Sequence, residues 1–79
     1  MKPELIGEII YFHRKQAGLS RQQLAHISGL GKTVIYDIEK GKLTVKLSSL
    51  LKVMYILNIK LEFKSPLMDL FKGELDEEN

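Results

Sequence analysis

Apolar residues first recur at helical spacing. Between residues 3 and 17, Ile6 and Ile10 form a stripe with His13 or Ala17, and Leu5, Ile9 and Phe12 widen it. Pro3 suits a first helical turn and Gly18 a stop. The arc is wide for a helix in so small a protein, so part of it is expected to meet a partner. Ser20 then opens a second helix, with Gln23 placed to close a capping box. Leu24 and Ala25 face inward, and Gly29 ends the segment. A third helix is predicted over 32–40, with Val34, Ile35 and Ile38 inward and Gly41 at its end. Gly31 is an indifferent N-cap for it. A fourth is predicted over 45–58, capped by Thr44 and carrying Leu47, Leu50, Leu51, Met54 and Leu57 on its apolar side.

The period then changes. Ile59, Leu61 and Phe63 alternate with Lys60, Glu62 and Lys64, which predicts a half-buried strand. A lone strand is unstable, so its twin in a second subunit is the expected partner, in a two-stranded intersubunit ribbon. Ser65 and Pro66 end it. The following LMDLFK reads as one short helical turn or an extended docking segment, and GELDEEN as a disordered tail. The fold expected is all-α, a bundle of four to five helices with one C-terminal β-strand. Residues 1–64 form its main domain and 65–79 the docking segment and acidic tail.

Composition narrows the function classes. Seventy-nine residues make one domain with a small core. The chain has no cysteine, which excludes disulfides and thiolate metal sites and is compatible with a reducing cytoplasm, the expected location. No apolar run reaches the ~18 residues of a membrane span. Residues 1–16 are broken by Glu4, Glu8, His13 and Arg14, so they read as an amphipathic helix and not as a signal peptide. Charge is unevenly spread. Residues 1–64 carry a balance of +6 and residues 65–79 one of −4, so the first part suits a polyanion. His13 and His26 have no second ligand at metal-binding spacing. GLGKT at 29–33 hints at a phosphate loop, but the upstream glycine is replaced by His26 and no strand precedes it. With no nucleophile–base pair and no cofactor motif, the chain is read as a non-enzyme without cofactors.

Residues 20–41, SRQQLAHISGLGKTVIYDIEKG, resemble the helix-turn-helix of the lambdoid phage repressor and Cro superfamily. Leu24, Ala25, Gly29, Ile35, Glu39 and Gly41 stand at its pattern positions, while Ser20 replaces the usual threonine and Arg21 the usual glutamine. With Arg14, Leu47 and Leu50 the match extends over roughly residues 6–58. The segment NIKLEFKSPL directly after the last helix makes the chain similar to HipB-type antitoxins. That resemblance implies a lambda-repressor-like fold, a homodimer on palindromic double-stranded operator DNA, and a HipA-like serine/threonine kinase toxin as partner. It also implies the dimer ribbon at Ile59, Leu61 and Phe63.

The second helix of such a motif enters the major groove. Lys32, Thr33 and Asp37 match base-contacting positions, and Tyr36 and Lys40 share their exposed face. Lysine donates to guanine, threonine touches a thymine methyl, and aspartate accepts from cytosine. Arg21 matches the family glutamine that fixes the phosphate backbone, with Gln22 beside it; Lys40, Lys42 and Lys46 are further phosphate candidates. The resemblance gives Arg14 and Glu39 a structural pairing, and Gly29 suits the turn between the two helices, where a left-handed conformation is cheap for glycine. The rival reading is a protein-interaction module that inhibits a partner without binding DNA. Asp37 and the weak Gly31 cap favour it.

Overall fold

The computed structural model describes residues 1–78; Asn79, the end of the acidic tail, lies outside the described residues. Five helices follow in order: α1 (Pro3–Gln16), α2 (Arg21–Ser28), α3 (Lys32–Glu39), α4 (Leu47–Ile56) and α5 (Met68–Glu78). The capping box of α2 forms as the sequence predicts. The Ser20 hydroxyl accepts from the Gln23 N–H at 3.0 Å, and the Gln23 side chain accepts from the Ser20 N–H at 2.8 Å.

One device ends α1 through α4. A left-handed residue follows each helix, Gly18, Gly29, Gly41 and Asn58 in turn. The next N–H then reaches back to the last turn: Leu19 to Arg14 O, Leu30 to Ala25 O, Lys42 to Asp37 O and Ile59 to Met54 O, at 2.8–3.2 Å. Leu19, Leu30 and Ile59 are thereby folded against the core.

That core is Ile10 from α1, Leu24 and Ala25 from α2, Ile35 and Ile38 from α3, and Val53, Met54 and Leu57 from α4 and its end. The α3 helix packs on both α1 and α2, and α4 closes against α2. Burying each of these side chains except the small Ala25 is worth about 1.5–3 kcal/mol. Gly7 lets α1 approach the end of α3: a Cβ there would lie 2.4 Å from the Glu39 carbonyl oxygen and 2.8 Å from that of Ile38.

Three expectations are corrected. Among the described residues there is no β-strand, and so no ribbon: residues 59–65 run without regular structure. Ile59 of the expected strand is half-buried and tied to α4, while Leu61 and Phe63 line a groove with Met68, Phe71 and Leu75 of α5. Their alternation therefore serves a connector with one apolar side, which needs no ladder. The fourth helix starts at Leu47 and not at Val45. Thr44 lies in the preceding turn and Val45 packs on the core, leaving Lys46 at the cap with no side-chain bond. Finally, GELDEEN continues α5 as far as Glu78 instead of fraying. Met68, Phe71 and Leu75 keep helical spacing across a boundary that composition alone draws at Lys72.

Candidate nucleic-acid interface

The α2–turn–α3 unit builds the site. Gly29 adopts φ 68°, a conformation cheap only without a Cβ, and turns the chain between the two helices. On α3, Ile35, Ile38 and Glu39 are buried. Their opposite side presents Lys32, Thr33, Tyr36 and Lys40 to solvent, with Asp37 half-buried at its edge. Arg21, Gln22 and Lys32 line one polar groove together with Lys15 from α1. Lys15 is a cation the sequence reading passed over; its place in the last turn of α1, beside Arg14, was the available signal.

The Arg14–Glu39 pair forms and is buried, its residues 5% and 8% exposed. Arg14 Nε donates to Glu39 Oε2 at 2.6 Å and Nη2 to Oε1 at 3.0 Å, while Nη1 donates to the Leu19 carbonyl at 2.9 Å. These bonds to Glu39 raise the Arg14 pKa; burial opposes them, and the charges of Glu39 and Tyr11 add to the rise. The arginine is thus held charged in the interior, and its anchorage fixes where α3 ends relative to α1.

Arg21 does not simply reach outward. Its Nε donates to Glu39 Oε1 at 3.0 Å, making a second arginine on one carboxylate. Its guanidinium also lies 5.3 Å from the Tyr36 ring centre, and Lys40 Nζ lies 5.3 Å from the same ring. Asp37 is paired with Lys42 at 3.5 Å. It lies on a different margin of α3, in a groove that Lys42, Thr44, Val45 and Lys46 also line. The predicted cations therefore fall into two groups on either side of α3. Arg21, Lys32 and Lys40 stand with Tyr36 or the α2 N-terminus, and Lys42 and Lys46 with Asp37.

Comparison with known proteins fixes the family. Residues 10–64 match the helix-turn-helix family. The chain belongs to that family. This helix-turn-helix protein is similar to an uncharacterized HTH-type transcriptional regulator, y4mF, of Sinorhizobium fredii (strain NBRC 101917 / NGR234). They are 31% identical over 64 residues, which cover 81% of this chain and 84% of the relative. It is also similar to control protein C.SmaI of Serratia marcescens, 38% identical over 55 residues that cover 70% of this chain and 66% of that protein. The helix-turn-helix chain is a DNA-binding transcriptional regulator. No helix among its described residues is long and apolar enough to cross a membrane.

Proposed function

We propose that this regulator is a sequence-specific repressor of its own operon and a HipB-like antitoxin. In this reading it binds a palindromic operator as a homodimer and restrains a HipA-like serine/threonine kinase. The observation that carries the DNA part is the exposed row Lys32, Thr33, Tyr36 and Lys40 on α3, beside Arg21 and Gln22 at the start of α2. Lys42 and Lys46 extend the basic surface for phosphate contacts. The Lys42–Asp37 contact offsets the one negative charge on the reading face, which weakens the case for a module that has lost DNA.

The dimer part rests on apolar side chains left in solvent. Leu61 and Phe63 are exposed, as are Leu70 and Phe71 of α5. A second copy covering them would give two-fold symmetry and could set the two α3 helices one DNA turn, roughly 34 Å, apart. The toxin part rests on the outward stripe of α1, where Leu5, Ile9 and Phe12 are exposed at helical spacing.

A band shift with the duplex upstream of its own gene, set against a scrambled duplex over a series of salt concentrations, tests the DNA part. Binding should prefer the upstream duplex. Lys46→Ala should weaken binding to both duplexes and lower the salt slope by about one. Lys32→Ala should relax preference at one base pair by about 1–3 kcal/mol. No binding to either duplex sinks the reading. Co-purification with the product of the neighbouring gene tests the toxin part, and a neighbour that is no kinase ends it.

A further inference from the structure

Arg21, Tyr36, Lys40 and Glu39 form a connected set on the outer margin of α3. Glu39 is buried and already holds Arg14 through both carboxylate oxygens. Its Oε1 also accepts from Arg21 Nε. This bond takes one edge of the Arg21 guanidinium inward, while the plane reaches the Tyr36 ring at 5.3 Å. Lys40 approaches the same ring from the C-cap of α3, also at 5.3 Å. A tyrosine on an exposed helix face ordinarily samples several rotamers. Here two cations, one of them backed by the buried carboxylate, lie against the ring, and Tyr36 as a whole residue still stays 46% exposed.

We infer that Arg21 is a positioning residue for Tyr36, and that Tyr36 is a specificity-determining side chain that packs its ring against a thymine 5-methyl group in the major groove. The inference rests on the DNA-binding reading above. Three observations support it together. Tyr36 shares the exposed face of α3 with Lys32 and Thr33. The phenol ring offers an apolar surface of the kind that contacts the thymine methyl. The two cations leave that ring partly uncovered and would themselves be drawn to flanking phosphates. Arg21 therefore differs in kind from Lys46. Its removal changes which sequence is chosen, and not only how tightly any duplex is held.

The test is a selection from a randomised duplex pool with the full chain, followed by affinities for the selected duplex and for copies with single thymines replaced by uracil. The wild type should lose about fourfold at one thymine, the worth of one methyl-sized apolar contact. Tyr36→Phe should keep that thymine-to-uracil ratio, and Tyr36→Ala should abolish it. Arg21→Gln should keep the wild-type helix content and weaken binding to scrambled duplex only as the loss of one phosphate contact does, while shrinking the thymine-to-uracil ratio toward one. Tyr36→Ala changes an exposed residue, so it keeps the test open even where Arg21→Gln disturbs the fold. A ratio unchanged in Tyr36→Ala overturns the inference. So does an Arg21→Gln variant that weakens selected and scrambled duplexes equally with the ratio intact. A wild type that enriches no sequence at all would count against the DNA-binding reading itself.

Discussion

At position 7 the chain carries a glycine in mid-helix, where propensity alone would favour alanine by about 1 kcal/mol. The structure reverses that preference. A Cβ would meet the backbone carbonyls of Glu39 and Ile38 well inside contact distance, and backbone atoms cannot rotate away. Overpacking of this kind costs about 1–3 kcal/mol and can exceed it. Gly7→Ala should therefore lower stability by up to about 2 kcal/mol net, read as a fall in the denaturant midpoint. Gly73→Ala is the control: nothing lies within 4 Å of a Cβ there, and the same substitution should leave stability unchanged or slightly raised. Glu39→Gln tests the buried pair. Leaving Arg14 without its carboxylate should cost about 3–5 kcal/mol, measured by urea unfolding. The alkaline side has a definite sign. Because the Arg14 pKa is raised in the folded state, its contribution is fully present below the unfolded value and is lost only as pH climbs through the folded one. Neutral and mildly alkaline buffers should show no loss from this group.

Among the elements, α1 to α4 were legible in the sequence because each carries both a periodic apolar face and a chemical start or stop. Ser20 with Gln23 fixes one beginning, and Gly18, Gly29 and Gly41 fix three ends. The fourth beginning was misplaced because Val45 looks periodic but packs from a turn. The strand was misread because alternation reports only that one side is apolar, and a connector lying along α5 satisfies it as well. The site was legible to a similar depth. The Arg14–Glu39 pair follows from the motif, whereas the Arg21–Glu39 bond depends on one oxygen accepting twice, which no spacing announces. The α5 helix yields its own prediction. It is eleven residues long, a length at which an isolated helix is marginal in water. Among the described residues it adds nothing to the core. Its amides should exchange fastest of the five helices, and a chain ending at Ser65 should melt close to the full chain. A large drop in melting temperature on truncation would show that α5 holds the bundle together.

The whole molecule is longer than its residue count requires. Its radius of gyration is 15.0 Å and its extents are 43 × 26 × 23 Å, against about 12 Å for a compact chain of this length. The α5 helix, which with the tail carries the acidic balance, makes no extensive contact with the other four helices. The repeated helix ending has a kinetic consequence. Every turn between α1 and α4 closes through a bond spanning five residues, as in Leu30 to Ala25, and so can form before any distant part of the chain arrives. A search made of such local steps has little loop-closure entropy to overcome, and helical topologies of this kind fold in microseconds to milliseconds. Refolding after a temperature jump should follow a single fast phase on that scale. The helix-turn-helix of a newly made copy would then be folded almost as soon as α4 is complete, so that synthesis and pairing with a second copy, and not folding, set the delay before it meets DNA.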